Sequence, residues 1–329
     1  MQLNIGKIRG LAATSSEAGA FTILAFDHRQ SFVKMLNPAA PEKVPYGDVV
    51  AAKTDVVHAL APHASAVLLD PIYSAAQTIS NRALPGKTGL LVAIEETGYT
   101  GKSTARVSTI LPSWSVAKIK LMRADAVKLL LYYHPHSGEL AKRQEQLALE
   151  VIEACRETDI LLFLEPISYS IDPGVNKKSS EFAEERPQLI TEIARRLGAL
   201  GPDVLKLEFP VDSNFHTDEA LWMKACELVS QASPCPWAVL SAGVSFEMFV
   251  QQVEVACCSG ASGYIAGRAV WKEGIPMPAS ERMKWLKRVA VNRLETLAEI
   301  AGNFARPWTD FYAPLDTSAF DGWYSSYGE

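Results

Sequence analysis

"DVLKLEFP", residues 203–210, is an apolar run of strand length with a lysine and a glutamate set into it. Side chains alternate faces along a strand, so Lys206 shares one face with Val204 and Glu208, while Leu205, Leu207 and Phe209 share the other. The leucine face asks to be buried. The lysine face fits two settings, a solvated sheet edge or the interior of a closed sheet.

The rest of the chain chooses between them. Runs of the same kind recur at 21–27, 65–70, 89–95, 125–133, 160–165, 203–209, 236–243 and 262–267. Between them lie segments whose apolar residues repeat at three- and four-residue spacing, among them 139–157, 180–199, 217–232 and 245–258. Continuous apolar strands alternating with helices predict a parallel sheet covered on both faces, and eight such units predict closure into a (β/α)8 TIM barrel of the α/β class. The competing architecture, a doubly wound open sheet with a dinucleotide site, lacks its G-x-G-x-x-G loop after the first strand. We therefore expect one barrel domain over 1–302 and a tail over 303–329. Neither face of a closed barrel meets bulk water, so the solvated-edge reading of Lys206 loses its ground.

Composition excludes several classes of function. With 329 residues, 48% hydrophobic, 21% charged and a net charge of -5, the chain reads as an ordinary soluble globular protein. No basic excess suggests nucleic acid. No apolar run reaches the roughly 18 residues that a membrane span needs, and the start lacks a secretory apolar region, so a cytoplasmic location is expected. Five cysteines occur without a C-x-x-C pair, which predicts reduced, mostly buried thiols. The tail is rich in rings: Phe304, Trp308, Phe311, Tyr312, Phe320, Trp323, Tyr324 and Tyr327. So much aromatic surface predicts packing on the barrel's helices, at a subunit interface of a homo-oligomer, or as a flap over the strand ends.

Inside a barrel, the C-terminal strand ends are where chemistry is expected. They carry Asp27, Asp70, Glu95, Glu165, Glu208 and Ser241. Each alone reads equally well as a loop or helix cap. A second strand lysine, Lys128 in "DAVKLLLYY" (125–133), joins Lys206, and buried ammonium groups should sit among carboxylates. Desolvation and a neighbouring cation lower a lysine from about 10.4 toward neutrality, freeing an amine that attacks carbonyls. The resulting Schiff base is an electron sink that lets carbon–carbon bonds beside a ketone break without a metal or cofactor. "LSAGV" (240–244) and "IAGRAVW" (265–271) end the last two strands, the usual phosphate site of this fold. Glycine admits backbone N–H groups close to an anion, and Arg268 adds a planar donor fork. "HPH" (134–136) offers a competing metal-site reading, weakened by Pro135 and its turn-like setting.

These motifs also carry a resemblance. "AFDHRQSF", "EETGY", "LPSWSVAKIK", "ADAVKLLLYY", "FLEP", "DVLKLEFPV", "LSAGVSFEMF" and "AGRAVW" follow in order from about residue 20 to 275. Together they resemble the tagatose 1,6-bisphosphate aldolase family of class I aldolases. Sulfofructosephosphate aldolases share the lysine strand and the two glycine turns but look less similar around "EETGY" and "LLLYY". The resemblance implies that Lys206 is the Schiff-base lysine, Glu165 the proton-transfer group and Lys128 a neighbouring cation. It further implies that Asp27 contacts substrate hydroxyls, and that Ser241, Gly243, Gly267 and Arg268 hold the phosphate of the ketone-derived half. The implied substrate is a phosphorylated ketose, cleaved to dihydroxyacetone phosphate and glyceraldehyde 3-phosphate, or to sulfolactaldehyde in the sulfonate enzymes. A metabolite-sensing protein retaining the same site is a third reading. One departure stands out: the family has Asp-Gln-Arg after the first strand, and here Asp27 and Arg29 flank His28, which reads as either a substrate donor or a packed ring.

Overall fold

The computed structural model describes residues 3–312, 321–325 and 327. Its strands are β1 Phe21–Phe26, β2 Ala66–Leu69, β3 Gly89–Ala93, β4 Thr100–Lys102, β5 Ala105–Val107, β6 Ala126–Tyr132, β7 Leu161–Ile167, β8 Val204–Glu208, β9 Trp237–Leu240 and β10 Gly263–Ala266. Eight of them close into a parallel barrel in the order β1, β2, β3, β6, β7, β8, β9, β10 and back to β1. Each matches one of the eight expected runs, with β7 extending two residues past the expected 160–165. The exception is the β4–β5 hairpin, a short antiparallel pair in the connection that follows β3.

The strands are legible because they are buried on both sides. Phe21, Ile23, Leu68, Leu91, Phe163, Val204 and Ile265 fill the barrel interior. Their alternates, among them Leu24, Val67, Val92, Leu205 and Leu207, pack against the helices. The helices expected at 139–157, 180–199, 217–232 and 245–258 form over Glu139–Glu157, Ser180–Gly198, Glu219–Ala232 and Phe246–Cys258. Three start on side-chain caps, Ser179, Asp218 and Ser245, each accepting from a first-turn N–H. Gly263 opens β10 at φ +128, where a Cβ would stand 2.1 Å from the Phe21 carbonyl oxygen, so only glycine fits.

The N-terminal end of the barrel is plugged. The helix Ile5–Thr14 crosses it, with Leu3 and Leu11 joining the interior cluster and the Lys7 ammonium 2.9 Å from the Asp203 carboxylate. The start of the tail closes the same end. Trp308 donates from its backbone to Gly19 and from its indole to Ser15, and the Tyr312 hydroxyl donates to the Asp203 carbonyl at 2.6 Å. These residues lie opposite the strand C-termini, so the flap expectation fails for them. Trp323, Tyr324 and Tyr327 are exposed, and Phe320 lies outside the described residues. No helix among the described residues is long and apolar enough to cross a membrane. All five cysteines are free, and only Cys258 is exposed.

Candidate active site

With one end plugged, the open end holds a cavity of about 970 Å³ whose lining includes Asp27, Glu95, Lys128, Glu165, Lys206 and Arg268. Strand parity puts them there. Val127 and Leu129 face the helices, as do Leu205 and Leu207, so Lys128 and Lys206 must point inward.

Glu165, on β7, lies between the two lysines. One oxygen is 2.9 Å from Lys206 Nζ and the other 2.8 Å from Lys128 Nζ. Lys128 also meets Asp27 and Glu95, each at 2.8 Å. Burial would push the Lys128 ammonium down, but Asp27, Glu165 and Glu95 together hold it well above its ordinary range. The converse holds for Asp27: burial raises it, and Lys128 and Lys206 outweigh that and keep it ionised. Arg29 closes the array, donating to the Glu95 carbonyl at 2.8 Å and lying 3.5 Å from its carboxylate. Three carboxylates thus face Lys128, Lys206 and Arg29, so the buried charges balance. Among the described residues Arg29 Nη1 has no hydrogen-bond partner, although the residue is only 6% exposed.

His28 lies between this array and the glycine turns. Its ring meets Trp271 edge-on at 5.0 Å, and a Cβ on Gly267 would stand 3.1 Å from its Cε1. Nδ1 is buried without a hydrogen bond, 3.8 Å from Asp27. Burial, with Arg268 and Lys206 nearby, outweighs Asp27 and pushes the imidazole down to about 3, so it is neutral.

The two turns meet beside it. Ser241 Oγ accepts from Gly267 N at 3.4 Å, and Arg268 donates to the Ala242 carbonyl at 3.4 Å. Ala242 and Gly243 take positive φ, +46 and +87, and the Arg268 guanidinium lies over Gly243, where a Cβ would be 3.1 Å away. The turn and the Arg268 guanidinium thus share one wall of the cavity.

Of the expected acids, Asp70 does not reach the cavity, and Glu208 reaches it already paired. Asp70 is turned out of the barrel into the helix layer, 2.6 Å from Lys53, because β2 ends at Leu69 and the Asp70 carboxylate folds back onto the N–H groups of Ile72 and Tyr73. Glu208 lines the cavity but is not the partner of Lys206. It takes Lys177 at 2.7 Å and the Ser168 N–H at 2.8 Å, with Arg186 3.9 Å away. Burial raises Glu208, but Lys177 and Arg186 carry it down to about 2. Lys177 and Arg186 were not picked out from sequence; their partner is distant along the chain and no local motif marks them. His134 and His136 form a turn in which His134 Nδ1 accepts from His136 N at 3.2 Å. Among the described residues no group of three or more His, Cys, Asp and Glu that could hold a metal ion occurs.

Comparison with known proteins agrees with this architecture. The DeoC/LacD family aldolase pattern matches residues 21–273. Tagatose 1,6-diphosphate aldolase 1 of Streptococcus pyogenes serotype M1 is 33% identical over 313 residues, 90% of this chain and 95% of that protein. Tagatose 1,6-diphosphate aldolase of Lactococcus lactis subsp. lactis is 32% identical over 329 residues, 94% of this chain and 99% of the relative. Among solved structures, an archaeal fructose 1,6-bisphosphate aldolase superposes with a TM-score of 0.58 over 90% of this chain and 99% of the other, at 19% identity, a likeness of fold. A barrel carrying buried lysines at its open end, matched over most of its length in these comparisons, belongs to the DeoC/LacD family of aldolases.

Proposed function

We propose that the protein is a class I aldolase cleaving a ketose 1,6-bisphosphate, tagatose 1,6-bisphosphate foremost, to dihydroxyacetone phosphate and glyceraldehyde 3-phosphate through a Schiff base on Lys206. The observation that carries this reading is Glu165, whose two oxygens lie 2.9 Å from Lys206 and 2.8 Å from Lys128. A proton moved from Lys206 to Glu165 creates a neutral amine and a carboxylic acid in one step, leaving the net charge of the array unchanged. The nucleophile and the general acid arise together.

The amine attacks the C2 carbonyl, and Glu165 returns the proton to the departing hydroxyl as water leaves, giving an iminium. Glu165 is then a carboxylate again and takes the C4 hydroxyl proton. The C3–C4 bond breaks, its electron pair enters the iminium, and an aldehyde and an enamine result. Protonation at C3 and hydrolysis release dihydroxyacetone phosphate and restore Lys206. Asp27 is a poor base because Lys128 holds it ionised, which suits it to orient substrate hydroxyls instead. His28, being neutral, offers an uncharged N–H to the same end of the ketose.

Ser241, Gly243, Gly267 and Arg268 are assigned to the phosphate on the ketone half. Arg29, with its unpartnered Nη1, is assigned to the phosphate on the aldehyde half. The names of the relatives at 32–33% identity support tagatose 1,6-bisphosphate as the substrate. Turnover on tagatose and fructose 1,6-bisphosphates, the 6-sulfo analogue and ketose monophosphates tests this. The bisphosphates should be cleaved with the highest kcat/KM, and a monophosphate or sulfonate ahead of both would overturn the assignment.

A further inference from the structure

Lys53 is a fully buried ammonium that the proposed reaction does not use. It projects from the helix Tyr46–Leu60 into the layer between the barrel and the helices, at 0% exposure. Its Nζ donates to the Phe26 carbonyl at 3.0 Å and to Asp70 at 2.6 Å, and it lies over the Phe26 ring at 4.7 Å and the Phe32 ring at 5.2 Å. Burial pushes this ammonium down and Asp70 pulls back only part of the shift. An apolar side chain of similar length would fill the space without that cost.

What the charge adds is a directional tether. Phe26 is the last residue of β1, Phe32 sits in the first turn of the next helix, and between them run Asp27, His28 and Arg29. Lys53 therefore grips both sides of the segment that supplies three groups to the site. Its other anchor is rigid, because Asp70 also accepts from the Ile72 and Tyr73 N–H groups at 2.9 and 2.7 Å and from Ser74 Oγ at 2.6 Å. The Phe26 ring continues the chain of contacts to Trp271 at 5.0 Å, and Trp271 carries His28 at 5.0 Å.

We propose that Lys53 is a positioning residue: through the Phe26 carbonyl and the Phe26 and Phe32 rings it holds Asp27, His28 and Arg29 in register with Lys128 and Lys206. The inference rests on the Schiff-base reading above, and it divides the reaction in two. Imine formation with dihydroxyacetone phosphate needs Lys206, Glu165 and the phosphate turn, none of which Lys53 touches. Cleavage of the intact ketose also needs the segment after β1.

The double variant Lys53→Met/Asp70→Leu removes the tether and leaves no charge unpaired. It should keep its fold by circular dichroism and keep borohydride trapping of dihydroxyacetone phosphate on Lys206. Its cleavage turnover should fall about a hundredfold, the scale of a displacement of about 1 Å in a reacting array. Phe32→Leu loosens one ring contact and keeps the ion pair, and should show the same split at about threefold to tenfold. Cleavage retained in the double variant means that the pair merely packs, and the proposal fails. Equal loss of trapping and cleavage in a folded double variant also overturns it. If the double variant does not fold, Phe32→Leu decides, and full cleavage there sinks the idea. Absence of trapping in the unaltered protein would instead bring down the Schiff-base reading, a separable result.

Discussion

Two buried lysine–carboxylate pairs belong to strand β8, one just before its start and one at its centre. Asp203 meets Lys7, and three residues on Lys206 meets Glu165, both at 2.9 Å and both shielded from solvent. Distance and burial do not separate them. What does is the rest of each environment. Asp203 also accepts from the Leu162 N–H at 2.8 Å and is sealed beneath the Ile5–Thr14 helix and Tyr312. The carboxylate of Glu165 is shared between two lysines and opens onto a cavity of about 970 Å³. One pair closes a barrel; the other, in the proposed mechanism, exchanges a proton beside room for reacting atoms.

The strongest way to break this contrast is to remove one lysine from each pair. Lys206→Ala should lower cleavage by at least about a thousandfold with the fold intact, the loss expected for a covalent nucleophile. Lys7→Met should leave turnover per folded molecule unchanged and cost about 2–4 kcal/mol of stability, because it leaves Asp203 buried without its cation. Steady-state kinetics and urea unfolding measure the two. A turnover loss at Lys7 matching that at Lys206 would erase the distinction.

A smaller effect is expected at the proposed phosphate wall. Arg268→Ala removes a charged planar donor from a partly desolvated site and should lower transition-state stabilisation by about 2–4 kcal/mol, read as kcat/KM for the bisphosphate. Arg268→Lys should restore little, since a single ammonium does not reproduce the fork. Unchanged kcat/KM in Arg268→Ala would remove the residue from the site.

The smallest expected effect concerns Glu208, which lines the cavity yet behaves as a structural ion. Its carboxyl is held at about 2 in the folded protein against an ordinary 4.5, so the unfolded chain takes up its proton first as the pH falls. The stability it contributes is therefore present above about pH 4.5 and lost as the pH drops through about 2, an effect of about 1–3 kcal/mol. Lys177→Met should flatten the acid side of the stability curve over that window. An unchanged curve would mean that Lys177 does not hold Glu208.

The barrel was legible because its strands are buried on both faces and so appear as unbroken apolar runs. The β4–β5 hairpin was not, since its strands are three residues each and carry no unbroken apolar run, and its pairing depends on the loop that carries it. The same contrast holds in the site. Lys128, Glu165 and Lys206 could be placed by strand parity and by the cost of burying an unpaired charge. Asp70 looked equivalent to Asp27, because each follows the last apolar residue of its strand. The difference lies in the turn after β2 and in Lys53, a helix residue 17 positions away that captures the carboxylate. Glu208 was similarly claimed by Lys177, 31 positions away. Partners set by tertiary contact leave no local pattern to read.

In the proposed reaction Lys206, and neither Lys7 nor Lys128, forms a covalent imine. Borohydride reduction in the presence of dihydroxyacetone phosphate, followed by peptide mass spectrometry, tests it directly. A single reduced adduct is expected on the peptide containing Lys206, with cleavage activity unaffected by EDTA. An adduct on Lys128, or cleavage that a chelator abolishes and borohydride leaves untouched, would contradict it.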